Sequence, residues 1–292
     1  KILSPPSNPA NLMANEIFPI KDIGYWSEIK LDIIKKYANA YSTILTKQTG
    51  LKQIYIDAFA GTGIHRKKGS GELVPGSPLN AINVDPPFFE YHFIDTDEDK
   101  VKFLKNVVLK DRSVNAFVHE GDCNEILLND LIPKIRYEDY KRALCFLDPY
   151  GLHLDWNVIK KAGEMRTFDI FLNFPILDMN RNVLLCDPAS VAQKEIERMN
   201  RFWGDDSWKN ETYSTQKDLF GEDTEIKGSV LGLIKAFRKR LKDVAGFSEV
   251  TEPIPMKNEQ GGTLYFLYFA SQKAVAAKIA RDLFKKYRVA GL

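Results

Sequence analysis

The sequence has little cysteine and histidine and no long apolar run. Among its 292 residues are 3 Cys and 4 His, and Cys123, Cys145 and Cys186 lie far apart. This spacing excludes a disulfide framework and a Cys-x-x-Cys metal site, so we expect reduced thiols and no bound metal. No segment approaches the ~20 apolar residues of a membrane-spanning helix, and no signal peptide pattern is present. We therefore expect a cytoplasmic protein with no membrane contact.

An excess of one charge is also missing. The formal net charge is only +2, which is too small to indicate nucleic-acid binding, because phosphate recognition depends on concentrated local charge. Hydrophobic residues make up 44% of the chain and charged residues 27%, as in ordinary globular proteins. A packed core is expected, and the overall charge says nothing about partners.

The first half of the chain alternates between strand-like and helix-like segments. After an irregular, proline-containing arm at Lys1–Ile20, apolar residues at helical spacing predict an amphipathic helix over Tyr25–Leu45. Alternating strands and helices are typical of a parallel sheet covered on both faces. The predicted strands are Gln53–Phe59, Tyr91–Ile94, Ala116–His119, Ala143–Leu147 and Phe168–Asn173, with helices at Ser77–Ile82, Glu98–Leu109, Asn124–Leu131 and Trp156–Ala162 between them.

The second half of the sequence does not continue this alternation of strands and helices. Pro188–Val244 is mostly helical in pattern, and two strands, Ser248–Pro255 and Thr263–Phe269, precede a last helix at Lys273–Tyr287. We predict a single α/β domain with a doubly wound, mostly parallel, seven-stranded sheet, an antiparallel terminal hairpin and a helical insertion. Its parts are an N-terminal arm and helix (1–50), a cofactor-binding core (51–175), the insertion (176–246) and the hairpin with its helix (247–292).

The strongest local motif is the segment Asp57-Ala-Phe-Ala-Gly-Thr-Gly63, in which a strand runs into a Gly-x-Gly turn. Glycine lets the backbone turn sharply and approach a ligand closely. We predict that a cofactor contacts Asp57, Phe59, Gly61, Thr62 and Gly63, with Asp57 near its amino group. A simple strand-to-loop turn is the alternative, since Gly-x-Gly alone is a weak signal.

A nicotinamide dinucleotide fits this loop poorly. The segment Gly61–Arg66 lacks the third glycine that lets a helix pack against the strand around a pyrophosphate. The next helix starts only at Ser77-Pro78, so no helix N-terminus lies at the turn to receive phosphate. A cofactor without phosphates is favoured.

Acidic residues follow the next two strands. Asp95 ends Phe93-Ile94-Asp95, where a carboxylate can accept hydrogen bonds from two ribose hydroxyls. Asp122, beside Cys123, can accept from an adenine amino group or cap the following helix. We include Asp95, Asp122 and Cys123 among the predicted cofactor contacts, and both roles of Asp122 stay open.

The fourth strand ends in Asp148-Pro149-Tyr150-Gly151, at the sheet edge where ligands gather in doubly wound folds. This segment resembles the Asp-Pro-Pro-Tyr tetrad of amino methyltransferases, in which the acid accepts hydrogen bonds from the target amino group and the aromatic ring stacks on a base. Asp148, Pro149 and Tyr150 are therefore the predicted catalytic residues. The second proline of the tetrad is missing here.

Three other features have open interpretations. The charged run His65–Gly69 can meet phosphate, but a solvated surface explains it equally simply. Asn173, after the fifth strand, can donate at the same rim or simply end a buried strand. Trp203 and Trp208 can belong to a recognition surface within the insertion or to a local core.

Together these motifs resemble the three-Cys-motif partner family of bacteria and archaea. The resemblance spans nearly the whole chain and rests on Tyr25-Trp26 with Lys30, Asp57–Gly63, Gly76–Leu79, Phe93–Asp95, Gly121-Asp122, Phe146–Gly151, Phe202–Gly204 and Tyr265–Ser271. It implies a class I methyltransferase (Rossmann-like) fold, S-adenosylmethionine as cofactor, and a companion protein that carries the three cysteines. The companion is commonly of phage type and resembles radical S-adenosylmethionine enzymes. Asp95 stands where relatives often have Glu.

Two functions remain compatible with the sequence. The first is an S-adenosylmethionine-dependent methyltransferase acting on an amino group, with a nucleic-acid base as the expected acceptor. The second is a non-catalytic or regulatory subunit that keeps the fold and serves the companion protein. The shortened tetrad at Asp148 keeps the second hypothesis open.

Overall fold

The structure is a computed structural model and describes residues 20–110, 112–217 and 223–291. The predicted arm Lys1–Ile20 lies outside these residues except for Ile20. In chain order the strands are β1 (Lys21–Ile23), β2 (Lys52–Asp57), β3 (Ile64–Lys67), β4 (Leu73–Pro75), β5 (Glu90–Asp95), β6 (Ala116–Glu120), β7 (Lys141–Leu147), β8 (Phe168–Phe174), β9 (Tyr213–Lys217), β10 (Asp223–Lys227), β11 (Glu249–Val250), β12 (Ile254–Lys257) and β13 (Thr263–Ser271).

The α-helices alternate with these strands. In the described part of the chain, none is long and apolar enough to cross a membrane. They are α1 (Tyr25–Thr46), α2 (Ser77–Ile82), α3 (Glu98–Phe103), α4 (Cys123–Glu125), α5 (Trp156–Met165), α6 (Ile176–Asn182), α7 (Gln193–Trp203), α8 (Trp208–Thr212), α9 (Val230–Asp243) and α10 (Ala274–Gly291). Wider π-helical turns at Leu104–Val108 and Ile126–Leu131 extend α3 and α4.

The main sheet has the order β11-β13-β8-β7-β2-β5-β6, and β12 pairs with β13 beside β11. The five strands from β8 to β6 are mutually parallel, whereas β13 runs antiparallel to β8. This arrangement confirms the predicted fold class. Because the parallel strands share one direction, the residues that follow β2, β5, β6, β7 and β8 meet at a single edge of the sheet.

Two hydrophobic cores cover the two faces of the sheet. Alternate residues of β2 divide between them: Ile54 and Ile56 pack with α5, α7 and α9, whereas Tyr55 packs with α1, α3 and α10. Strand side chains point alternately to opposite faces, so a strand buried on both sides is apolar throughout. This explains why the central strands read as continuous apolar runs.

The sheet has eight strands rather than the predicted seven. The predicted strand Ser248–Pro255 is divided into β11 and β12, and both pair with β13. Pro253 lies in the interruption and Pro255 inside β12, and a proline cannot donate a hydrogen bond to a neighbouring strand. The division therefore coincides with Pro253, whereas Pro255 is accommodated within β12 opposite Phe266.

Two small sheets lie outside the main one. The predicted charged loop at His65 is instead strand β3, which pairs with β1 in parallel and with β4 in antiparallel orientation. The insertion, predicted as mostly helical, also contains the antiparallel hairpin β9–β10. Neither pairing could be read from periodicity, because three- to five-residue strands leave almost no pattern.

Gly163 allows α5 to approach the chain before β11. A Cβ added at Gly163 would lie 1.9 Å from the carbonyl oxygen of Ala245, which is backbone and cannot move away cheaply. We expect Gly163→Ala to lower the free energy of unfolding by about 3 kcal/mol, as overpacking does. Urea denaturation measures the loss. The control is Gly246→Ala, where φ is +81° but nothing lies within 4 Å, so only about 1 kcal/mol should be lost. Equal losses in the two variants would contradict this account.

Candidate active site

A cavity of about 570 Å³ opens where the carboxyl ends of the parallel strands meet. Eight of the predicted site residues line it, and they come from the loops after β2, β5, β6 and β7. They are Phe59, Gly61, Thr62, Asp95, Asp122, Cys123, Asp148 and Tyr150. The topology therefore brings together residues that are up to about ninety positions apart in sequence.

The two glycines of the loop after β2 have different surroundings. Gly61 lines the cavity with φ +61°, and a Cβ added there would meet no atom within 4 Å. Gly63 has φ +75° and does not line the cavity; its added Cβ would lie 2.8 Å from Leu104 Cδ1. Gly61 thus leaves room for a ligand, whereas Gly63 leaves room for the packed turn after α3. Thr62 is buried between them and donates to the Ile64 carbonyl at 2.8 Å.

Asp95 joins this loop to the next strand. Its Oδ2 accepts from the Gly61 amide at 2.9 Å, and its Oδ1 accepts from the Asp97 amide at 3.0 Å. Lys100 Nζ lies 3.9 Å from the same carboxylate. Each carboxylate oxygen can accept more than one hydrogen bond, so Asp95 still has acceptor capacity toward the cavity.

Asp122 is the N-cap of α4. Its Oδ1 accepts from the Asn124 amide at 2.7 Å and from the Glu125 amide at 3.4 Å. The capping role left open by the sequence is therefore present, and contact with a ligand remains a prediction. The neighbouring Cys123 is 4% exposed, and burial raises the pKa of its thiol to about 12. Cys123 is thus a protonated, apolar part of the wall at neutral pH.

Asp148 is held by two partners from distant parts of the chain. Lys30 of α1 donates to its Oδ2 at 2.5 Å, and the Asn173 side chain donates to its Oδ1. The side chain of Lys30 is 9% exposed and that of Asp148 is 27% exposed. The carboxylate that was expected to receive an acceptor amino group therefore already accepts two hydrogen bonds within the protein.

Lys30 keeps its charge in this environment. Burial acts to lower the pKa of Lys30 and is the largest influence, but the Asp148 carboxylate and Tyr265 outweigh it and raise the pKa above the usual value. The ammonium also lies 5.0 Å from the centroid of the Tyr265 ring and 5.6 Å from that of Phe146. Cation–π attraction supports the charged form. Lys30 is thus a charged hydrogen-bond donor rather than a base.

Asp57 lies behind the cavity wall. It is fully buried, and its Oδ1 accepts from the Phe59 amide at 3.2 Å. Burial raises the pKa of Asp57 to about 7, and Asp148 adds to the rise, against the lowering effect of Ser77, the Phe59 amide and Lys30. Asp57 therefore does not line the cavity in this structure; it holds the loop through the Phe59 amide, and its contact with a cofactor stays a prediction.

The small sheet β1-β3-β4 contributes Lys21 and His65 to the cavity. Burial, followed by the charge of Lys30, lowers the pKa of His65 to about 4, so its imidazole is neutral at neutral pH. Lys21 Nζ lies 3.9 Å from the centroid of the Tyr150 ring. Tyr150 is 67% exposed, so the tyrosine of the tetrad stands at the rim with Lys21 against it.

The turn after Tyr150 is tightly held. Gly151 has φ +67°, and an added Cβ would lie 2.5 Å from Asp178 Oδ2, which also accepts from the Leu152 amide at 3.0 Å. Arg198 Nη2 lies 3.0 Å from the same oxygen. Glycine is required here because of both the left-handed φ and the close carboxylate. Asp178 and Arg198 thereby fix the loop that presents Tyr150.

Three predicted residues do not reach the cavity surface: Asp57, Gly63 and Pro149. Pro149 is buried in the turn beside Asp148. The cavity is also lined by Lys21, Lys30 and Lys100, for which no binding or catalytic role was predicted from sequence motifs. For Lys30 a signal existed, because it lies within the apolar stripe of α1 beside Ile29, Ile33 and Ile34, where a lysine is unusual.

The two tryptophans of the insertion are core residues. Trp203 and Trp208 are each 2% exposed. Their indole nitrogens donate to Ser207 at 2.9 Å and to Asn200 at 2.7 Å, respectively. They stabilise the insertion and present no recognition surface.

Comparison with known proteins shows similarity of fold. No family model matches the sequence, and no curated protein is detectably similar to it. The Legionella pneumophila protein LPL1258, of family DUF519, superposes with a TM-score of 0.52 at 13% identity, over 88% of this chain and 92% of that one. Trm1 from Pyrococcus horikoshii, crystallised with S-adenosyl-L-methionine, has a TM-score of 0.42 at 13% identity, over 89% of this chain and 58% of that one.

The pKa of Asp57 predicts a pH effect on stability. The folded state holds the proton up to pH about 7, whereas an unfolded Asp releases it near pH ~4, so this stabilisation is lost as pH rises through 7. Asp57→Asn keeps the oxygen that accepts from Phe59 but cannot ionise. We expect the melting temperature of Asp57→Asn, relative to the wild type, to rise between about pH 4 and 7 and to level off above that. Thermal unfolding across this range measures it. The exposed Asp206→Asn serves as control, and a flat difference for Asp57→Asn would refute the raised pKa.

Proposed function

We propose that this protein is an S-adenosylmethionine-dependent methyltransferase whose cofactor lies in the cavity at the carboxyl ends of the strands. The main support is Gly61, which lines the cavity in a left-handed conformation with open space where a Cβ would stand. The volume of about 570 Å³ falls within the ~300–1,000 Å³ of small-molecule sites. A bound S-adenosylmethionine supplies an electrophilic methyl group.

The lining residues suit the parts of this cofactor. Asp95 can accept from ribose hydroxyls while it holds the Gly61 amide, and Asp122 can accept from an adenine amino group through the oxygen that does not cap α4. Phe59, Thr62 and Cys123 complete the wall. The Gly61 loop does not lead directly into a helix, because β3 and β4 come before α2, so the loop lacks the adjoining helix N-terminus of a pyrophosphate site.

Asp148 and Tyr150 are the groups proposed to face the methyl acceptor. Asp148 keeps lone pairs beyond those used by Lys30 and Asn173, so it can orient an acceptor N–H, and the exposed ring of Tyr150 can stack on a planar group. An amino group of a nucleic-acid base is the acceptor we propose. We also propose that the protein works with a three-Cys-motif companion.

The second candidate is a non-catalytic binding subunit of that companion. The observation that favours it is the pairing of Asp148, because both carboxylate oxygens already accept hydrogen bonds from Lys30 and Asn173. An acid satisfied in this way stabilises the fold without any acceptor. The two candidates share the cofactor cavity and differ in whether transfer occurs.

Cofactor binding depends on Gly61. Isothermal titration with S-adenosylmethionine and S-adenosylhomocysteine should give saturable heat for the wild type. Gly61→Ala should weaken the affinity by about tenfold or more, because the new Cβ enters the space of the ligand. Gly69→Ala is the matched control, since Gly69 also has a left-handed φ and open surroundings but does not line the cavity. Absence of heat with folded wild-type protein would overturn the proposed cofactor.

Methyl transfer separates the two candidates. The protein, with and without the companion, is incubated with methyl-labelled cofactor and with DNA, bulk RNA or tRNA. We expect transfer to one pool and a fall of about 100-fold in Asp148→Ala, because the acceptor loses its orienting acid. If Lys30 left unpaired destabilises that variant, the double variant Lys30→Met/Asp148→Ala removes both charges. Exposed Glu72→Gln serves as control. Tight cofactor binding without transfer to any pool would favour the binding subunit.

A further inference from the structure

A second cavity, of about 260 Å³, lies at the opposite edge of the sheet. It is bounded by the amino ends of β7 and β8, the second half of α1 and the start of α10, and it shares no lining residue with the cavity described above. Nothing in the proposed methyl transfer uses it. Its walls are of two chemical kinds, apolar and cationic.

The apolar wall comes from α1, the turn after it, and α10. It consists of Ile44, Leu45, Leu51, Val275 and Ile279. Ile44 is 37% exposed and Val275 57% exposed, which is unusual for large apolar side chains in the described core-facing helices. An apolar group placed between α1 and α10 would remove this surface from water.

A tyrosine hydroxyl without a partner in the described residues faces the same space. Tyr41 is 7% exposed, lines the cavity, and its hydroxyl has no hydrogen-bond partner among residues 20–110, 112–217 and 223–291. The neighbouring Tyr37, by contrast, donates to Asp169 at 2.6 Å. The Tyr41 hydroxyl is therefore free to donate to an acceptor placed in the cavity.

Three cations line the cavity: Arg142, Arg166 and Lys273. In the described part of the chain, none of them lies within 4.0 Å of a carboxylate. Arg142 stacks on the Tyr137 ring at 3.9 Å, which fixes its guanidinium at the mouth. The acid of this lining is Asp169, and its two oxygens already accept from Tyr37 and from Ser271. Arg166 and Lys273 are exposed to solvent, and Arg142 also donates to the Lys141 carbonyl at 2.6 Å. With three cations and one acid, the lining carries an excess of positive charge, which favours an anion.

We propose that this cavity binds a small organic acid. Its apolar body lies against the wall of α1 and α10, and its carboxylate accepts hydrogen bonds from the Tyr41 hydroxyl and from the Arg142 guanidinium. A carboxylate matches the fork of an arginine in geometry as well as charge. An apolar cavity of ~150 Å³ holds benzene, so about 260 Å³ accommodates one ring with a short acidic side chain.

The probe for this site is 3-phenylpropionate, with 3-phenyl-1-propanol as its uncharged counterpart. Titration of the full chain, followed by NMR or calorimetry, should show saturable binding of the acid at about 1 mM or below and binding of the alcohol at least about tenfold weaker. Absence of acid binding up to about 10 mM, or equal affinity for acid and alcohol, would overturn the proposal.

Substitutions of two lining residues test whether the acid binds in this cavity. Tyr41→Phe removes only the hydroxyl and should weaken acid binding about threefold to tenfold, and Arg142→Gln should weaken it by more, since a charge-assisted bond is lost. Arg136→Gln is the matched control, because Arg136 is exposed, pairs with Asp139 and lies outside the cavity. Unchanged affinity in Tyr41→Phe and Arg142→Gln would place the acid elsewhere and contradict the assignment. If Arg142→Gln fails to fold, Tyr41→Phe and the alcohol decide alone.

Discussion

The ion pair between Lys30 and Asp148 is the interaction on which the arrangement of the candidate active site depends. It joins α1 to the carboxyl end of β7 across 118 positions of sequence, with a 2.5 Å contact between largely buried groups. Removing one partner of such a pair leaves a buried charge and commonly costs ~3–5 kcal/mol, although the intact pair contributes little net stability. The pair therefore fixes the position of α1 relative to Asp148. Any movement of α1 away from Asp148 would separate two charges that are largely removed from water.

The same ion pair contributes to the shifted pKa values of two neighbouring residues, Asp57 and His65. Asp57 lies close enough to Asp148 for like charges to oppose ionisation, and His65 lies close enough to Lys30 for like charges to oppose protonation. Burial is the larger cause in both cases. At neutral pH the ion pair is thus flanked by a neutral His65 and by an Asp57 that is only partly ionised.

The sequence predicted the fold and the edge of the sheet where the site lies, because alternating strands and helices force the strand ends together. It could not separate Gly61 from Gly63, since both are left-handed and only the packing of Leu104 against Gly63 distinguishes them. The sequence shows that Lys30 and Asn173 are present, but no local pattern predicts that both contact Asp148, because these are tertiary contacts. Strands of three to five residues, such as β1 and β3, were missed for lack of periodicity.

Different parts of the chain hold the acid and the aromatic ring of the shortened tetrad Asp148–Gly151. The Tyr150 ring stands exposed at the rim, with Lys21 Nζ 3.9 Å from its centroid. Gly151 then has to turn with a left-handed φ against Asp178, which Arg198 of α7 holds in place. The insertion therefore sets the position of the aromatic ring, while α1 sets the position of the acid. Lys21 lies against the Tyr150 ring, and in the proposed reaction the exposed remainder of the ring is the surface on which a planar acceptor would stack.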